Sequence, residues 1–203
     1  MLAFLGWNPG TPQEIFSMEE MIESFTLERV GKAGAKFDFD KTKWFNQQYL
    51  RAKTKEYLTQ DLQIILKENG VEANDNFVAT VCEQLKERST FVKDMWEEGK
   101  YYFEAPTSYD EKTIRKKWKE ETPKYMSELK DRLAGLSDFS SENIEVEFKK
   151  YLEENELGMG MLLPAFRVSL TGLGMGPSLF HIAALLGKEE TIKRMETALN
   201  TIG

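Results

Sequence analysis

Residues 58–85 read LTQDLQIILKENGVEANDNFVATVCEQL, and this stretch decides the fold class. Leu58, Leu62 and Ile65 recur at helical spacing until Gly70 interrupts them, and Phe77, Val78, Val81, Cys82 and Leu85 form a second apolar stripe. The pattern encodes two successive amphipathic helices, each with one face to bury. Alternating runs of strand length are nearly absent from the chain, so the expected fold is all-α.

The same signals extend in both directions. Upstream, Ser17 with Glu20 makes a capping box and Phe16 with Met21 stands at staple spacing, so a helix begins there. Asp40 is placed to cap a helix carrying Trp44, Phe45 and Tyr49. Downstream, Phe91, Val92, Met95 and Trp96 form a further stripe; Gly99 and Pro106 break the pattern, and Ser108 with Glu111 makes a second capping box. The main boundary between domains is expected near that break. Beyond it, Thr122-Pro123 opens a helix that stops at Gly135, Ser140 opens another, and an apolar stretch follows Gly158 and Gly160. The glycine-rich loop Gly172-Leu173-Gly174-Met175-Gly176 precedes Pro177, read as a helix start, and Ile192, Met195 and Leu199 mark the last helix. Leu2 to Leu5 read as the end of an apolar helix whose beginning is missing, because four residues cannot nucleate one; the chain is expected to be a fragment.

Composition narrows the function classes. The 203 residues have room for two small domains, and 41% hydrophobic content is ordinary for a folded protein. No apolar run approaches the length of a membrane span, and the first residues lack a basic flank and cleavage site, so a soluble, cytoplasmic protein is expected. A single cysteine, Cys82, excludes an internal disulfide and a cysteine cluster, and its expected place is the core. A net charge of -7 argues against indiscriminate adhesion to nucleic acid, so any such contact must be local and shaped.

Catalytic chemistry is missing. His181 is the only histidine, with no nucleophile or carboxylate at triad spacing, and no metal-ligand spacing stands out among the acidic residues. The glycine run is not a phosphate-binding fingerprint, since neither a preceding strand nor a following Gly-Lys-Ser/Thr is present. What remains is material for binding. Arg88 falls between two helices, where its fork can take a base edge or stand as an ordinary surface arginine. Arg167 sits inside the apolar stretch 162–170 and needs an acidic or phosphate partner. Lys112, Arg115, Lys116 and Lys119 share a helical face that could follow a phosphate backbone or be merely solvated. Lys41, Trp44 and Arg51 recur along one helix, where Trp44 could equally be core. Spacing alone supports a helical protein that binds RNA or, as the alternative, a non-catalytic helical protein-interaction module.

The wording of the chain says more. Residues 2–10 (LAFLGWNPG), 14–17 (EIFS), 25–30 (FTLERV) and 36–41 (KFDFDK), followed by Trp44, Asn46, Tyr49 and Leu50-Arg51, resemble the stem-contact segment of bacterial glutamyl-tRNA synthetases. Residues 85–88 (LKER) through Tyr101-Tyr102-Phe103 resemble the family's first anticodon-binding helical domain. Residues 164–172 (PAFRVSLTG), 176–180 (GPSLF) and 185–189 (LLGKE) resemble its C-terminal motif. The resemblance implies a stem-contact remnant at 1–54 and two successive helical bundle domains, at 55–110 and 111–203, that cage the anticodon. It implies that Arg88 reads the third anticodon base, as in members that discriminate glutamate from glutamine tRNA. Arg167, Pro177, Ser178, Leu179 and Phe180 match contacts to the first bases, whereas Leu173-Gly174-Met175 departs from the best-known member. Lys41, Trp44 and Arg51 match positions facing the tRNA stem and D-arm. The full-length enzyme of the family joins glutamate to its tRNA with ATP and magnesium, in an N-terminal catalytic domain whose His-Ile-Gly-His and Lys-Met-Ser-Lys-Ser signatures do not occur here. The implied partner is therefore glutamate tRNA, bound by a monomer that has no ligase activity and no cofactor of its own.

Overall fold

The computed structural model describes residues 2–31, 34 and 36–202; Met1, the start of the apolar N-terminal run, lies outside them. Among the described residues there are eleven α-helices and no strand, in agreement with the all-α expectation. They are α1 (Met18–Ser24), α2 (Phe39–Ala52), α3 (Lys55–Glu68), α4 (Asp75–Leu85), α5 (Val92–Gly99) and α6 (Glu111–Lys117), then α7 (Thr122–Ala134), α8 (Ser141–Glu154), α9 (Met159–Thr171), α10 (Leu179–Leu186) and α11 (Lys188–Ile202). Leu2–Leu5, Leu27–Arg29 and Lys100–Tyr102 form 3-10 turns.

Caps explain most of the starts. The Ser17 and Glu20 box closes in both directions, with Glu20 N donating to Ser17 Oγ and Ser17 N to Glu20 Oε2. Thr54 and Ser140 cap α3 and α8. Four starts differ from the sequence reading. Asp38, not Asp40, caps α2, because Phe39 is already helical; Asp40 lies in the first turn, where its charge still favours the helix dipole. Asp110, not Ser108, caps α6: Asp110 N donates to Gly172 O at 2.8 Å, which keeps the backbone out of helix until Glu111. Thr122 is itself the first residue of α7, so Pro123 comes second rather than first. Pro177 stands two residues ahead of α10, whose cap position is Ser178.

The apolar stretch after Gly158 forms α9, with Pro164 inside it. Proline has no N-H to give, so the carbonyl four residues back loses its helical donor. That carbonyl belongs to Gly160, and Lys117 Nζ donates to it at 2.9 Å. The vacancy left by a proline thus becomes a tie between α6 and α9.

Two cores result. The first gathers Leu58, Leu62 and Leu66 of α3, Val78, Val81, Cys82 and Leu85 of α4, Met95 and Trp96 of α5, and Tyr101 and Tyr102. The second gathers Met126 and Leu129 of α7, Phe148 and Tyr151 of α8, Phe166 and Leu170 of α9, and Met195 of α11. Helix α10 serves both, with Ile182 in the first core and Leu179 and Ala183 in the second. Arg194, only 4% exposed, reinforces the junction. Its Nη1 donates to Tyr101 O at 2.6 Å and Leu170 O at 2.9 Å, while Nε donates to Glu190 at 2.7 Å. Ahead of these cores Phe4 packs against Trp7, Phe16 and Phe45, an aromatic cluster that anchors the N-terminal segment to α2.

Cys82 lies fully buried, and burial, helped by the charge of Glu83, pushes its thiol up to about 12. The thiolate is the reactive species. Native protein at pH 8 is therefore expected to leave a thiol-disulfide dye unreacted over the minutes in which guanidinium-unfolded protein consumes one equivalent. Equal rates would contradict the buried placement.

No helix among the described residues is long and apolar enough to cross a membrane.

Candidate nucleic-acid interface

A cleft of about 640 Å³ opens where the turn after α4 faces α6 and the glycine-rich loop; Arg88, Lys112, Lys116, Pro164, Met175 and Pro177 are among its lining residues. The loop's position follows from its glycines. Gly172 has φ +74°, and a Cβ there would stand 2.6 Å from the Ser108 carbonyl oxygen, so a side chain is excluded by conformation and by contact. A Cβ on Gly174 would collide with Thr113 Oγ1, at the start of α6. The loop therefore lies flat against the first turn of α6, leaving Met175, 81% exposed, projecting at the lip.

Arg88 sits in the turn that ends α4, with its N-H on the Leu85 carbonyl and its side chain exposed. The guanidinium makes no hydrogen bond or ion pair with any described residue, and its donors are free for a ligand. Arg167 is half-buried on α9. No carboxylate partners it among the described residues, contrary to one half of the sequence expectation, and its Nη1 is buried without a hydrogen-bond acceptor. Burial draws the guanidinium below its usual range; the Tyr101 hydroxyl opposes this, while Arg88 adds to it. A Cβ on Gly176 would lie 2.9 Å from Arg167 Nη1 and 3.8 Å from Tyr101 Oη, so the bare glycine lets the loop pack directly on Arg167. Tyr101 is itself 5% exposed, and burial raises its hydroxyl above the ordinary range. Unpaired buried donors are costly in a folded protein, and here they stand beside a cleft.

The local charge differs from that of the chain. Arg88, Lys112, Lys116 and Lys117 line the cleft against Glu98 and Asp110. Asp110 is occupied by capping: hydrogen bonds from Thr113 hold its carboxyl below the usual range, and Lys112 contributes less. An acidic protein thus presents a cationic recess.

The sequence-selected residues separate into groups. Arg88 and Pro177 line the cleft, and Arg167 lies behind it, against the cleft-lining Gly176. Ser178 is exposed at the head of α10, whose first turn has no side-chain cap. The side chains of Leu179 and Phe180 turn away: Leu179 is 2% exposed in the second core, and Phe180 packs on Phe148 with ring centroids 5.5 Å apart. For Leu179 only the backbone could face a ligand, whereas Phe180 is partly buried. Lys41 is paired with Glu14 at 2.5 Å, and Arg51 Nε lies 3.1 Å from Glu87 in an ion pair, with Nη2 on the Glu87 carbonyl. Trp44 is 37% exposed and edge-on to Phe45, so it is not a core residue. Of the basic run, Lys112 and Lys116 face the cleft, whereas Arg115 pairs with Glu111 and Lys119 lies past the end of α6, bonded to Arg115 O. Sequence reasoning missed Tyr101, Asp110 and Thr113. The Asx cap signal of Asp110 was present; nothing local marked Tyr101.

An all-helical scaffold with a cationic recess on an acidic chain defines a class, helical modules suited to a polyanionic ligand. The family model described as the anticodon binding domain matches residues 47–199, and the chain belongs to that family. It is 48% identical over 201 residues to a glutamate–tRNA ligase of Phocaeicola vulgatus and 49% identical over 201 residues to that of Flavobacterium psychrophilum. Each alignment covers 99% of this chain and 40% of the relative. Among solved structures, a glutamate tRNA ligase from Elizabethkingia meningosepticum, crystallised in complex with its amino acid, superposes with a TM-score of 0.95 at 42% identity. That superposition covers 100% of this chain and 40% of the other. The chain therefore spans about two fifths of the length of the relatives it matches.

Proposed function

We propose that this chain is the tRNA-reading part of a glutamate–tRNA ligase and that the cleft between α4, α6 and the glycine loop receives the anticodon of glutamate tRNA. The observation that supports this reading is Arg88 on the cleft, its guanidinium without a partner among the described residues, with Arg167, whose buried Nη1 has no acceptor, directly behind the cleft-lining Gly176. Arginine forks are suited to base edges, and splayed single-stranded bases are what such sites read. Arg88 takes the third anticodon base. Arg167, Pro177 and the backbone at Ser178, Leu179 and Phe180 take the others, the latter through unshared N-H groups of the first turn of α10. Lys41, Trp44 and Arg51 face the tRNA stem or D-arm, and Trp44 is the exposed member, since Glu14 and Glu87 hold the other two. The division at 1–54, 55–110 and 111–203 accompanies this reading, as do a cytoplasmic location and a monomeric state.

ATP and magnesium serve the catalytic portion of such ligases. The residues here do not fit either: among the described residues no three His, Cys, Asp or Glu side chains form a metal-holding group, and the glycine loop follows a helix rather than a strand.

The test is the affinity of this chain, at fixed moderate salt, for a glutamate tRNA transcript and for the same transcript with its third anticodon base changed. Binding weaker by roughly 5- to 150-fold for the changed transcript is expected, the equivalent of about 1–3 kcal/mol for one lost base contact by analogy with duplex readout. Equal binding would assign the chain to backbone docking alone, and a failure to bind either would remove the anticodon from the cleft.

A further inference from the structure

We infer that Lys112 and Lys116 hold phosphates of the RNA strand whose bases reach Arg88, so that one wall of the cleft reads and the opposite wall grips. This rests on the anticodon reading above and adds to it a division of labour. Both lysines are exposed and line the recess from α6, across from Arg88. Neither ammonium makes a hydrogen bond or ion pair with a described residue, although nine other lysines and arginines among the described residues are held in salt bridges at 3.1 Å or less. Standing four residues apart, they are about 6 Å apart along the helix axis, a step that neighbouring phosphates of an extended strand can match. The third lysine of this wall, Lys117, is already committed to the Gly160 carbonyl and stiffens the wall instead. An ammonium is a point charge without a fork, so it suits a phosphate better than a base edge and adds affinity without sequence information. Two ammonium groups one helical turn apart repel, and the Asp110 carboxylate, hydrogen-bonded to Thr113, forms an ion pair with neither. A polyanion relieves that repulsion.

Counterion release makes the proposal measurable, since each phosphate contact to a single strand contributes a slope of about -0.7 to log K against log salt. The experiment titrates the glutamate tRNA transcript and its third-base variant across a salt series with three proteins: the unaltered chain, K112Q/K116Q, and R115Q/K119Q. The last pair removes the same charge from side chains bonded away from the recess. For K112Q/K116Q the slope is expected to flatten by about 1.4, with the ratio of affinities for the two transcripts held within twofold. R115Q/K119Q is expected to leave the slope nearly unchanged. An unaltered slope in K112Q/K116Q overturns the proposal, and so does equal flattening in both variants, which would mean a diffuse field rather than two contacts. A changed transcript ratio in K112Q/K116Q also overturns it, because the lysines would then be reading bases. If the unaltered chain does not distinguish the transcripts, the anticodon reading itself fails; if it distinguishes them while the slope stays the same, only the phosphate assignment fails.

Discussion

Replacing Arg194 by methionine is expected to lower the melting temperature by roughly 6–20 °C, the largest effect of any single change considered. The side chain is 4% exposed and its guanidinium bonds three groups at once, the Tyr101 carbonyl, the Leu170 carbonyl and Glu190. Methionine keeps most of the aliphatic packing, so the loss is electrostatic. It strands two buried carbonyls and a partly buried carboxylate, and breaking such a buried pair costs about 3–5 kcal/mol. For a chain of this size each kcal/mol moves the midpoint by about 2–4 °C. The consequence should reach the cleft, because Tyr101 flanks Arg167 and Leu170 lies on the same helix, three residues on from it. Thermal denaturation followed by far-ultraviolet circular dichroism checks it. A fall of only a degree or two would mean that water replaces the guanidinium at both carbonyls.

R88Q is expected to do the reverse, to alter recognition and spare the fold. Arg88 is exposed and bonds no described residue through its side chain, so the melting point should move by a degree at most. Glutamine keeps one amide in place of a planar fork with five donors, and the loss of a bidentate contact is worth about 1–3 kcal/mol. The preference for the unchanged third anticodon base should therefore fall by roughly 5- to 150-fold. Selectivity identical to that of the unaltered chain would remove Arg88 from the site, whatever the melting curve shows.

These two arginines mark how far local sequence carries. Arg88 was recognisable because a helix break on each side of it exposes the side chain whatever the rest of the fold does. Arg167 was recognisable as a charge in an apolar run that needs an acidic or phosphate partner, but its environment was not: no carboxylate partners it among the described residues, and Tyr101 beside it comes from a distant part of the chain. Leu179 and Phe180 show the same limit. Adjacent to Ser178 in sequence, Leu179 points into the core and Phe180 packs against it, because the rotation of α10 is set by Ile182 and Ala183 packing on two sides. The caps were misplaced for a similar reason. Asp110 and Ser108 are both sound capping residues, and the choice fell to Asp110 through a backbone bond to Gly172, more than sixty residues away.

By itself the sequence determined the helical class and the approximate place of most helices, since periodicity and caps are properties of neighbours along the chain. Only the tertiary structure decided which basic residues are unengaged. Lys112 and Lys116 look no different in sequence from Lys117, yet the Gly160 carbonyl of α9 engages Lys117 and leaves the first two unpaired at the cleft. Spacing along a helix says which side chains share a face; whether a cation on that face is left for a ligand depends on which carboxylates and orphaned carbonyls the fold brings within reach of it.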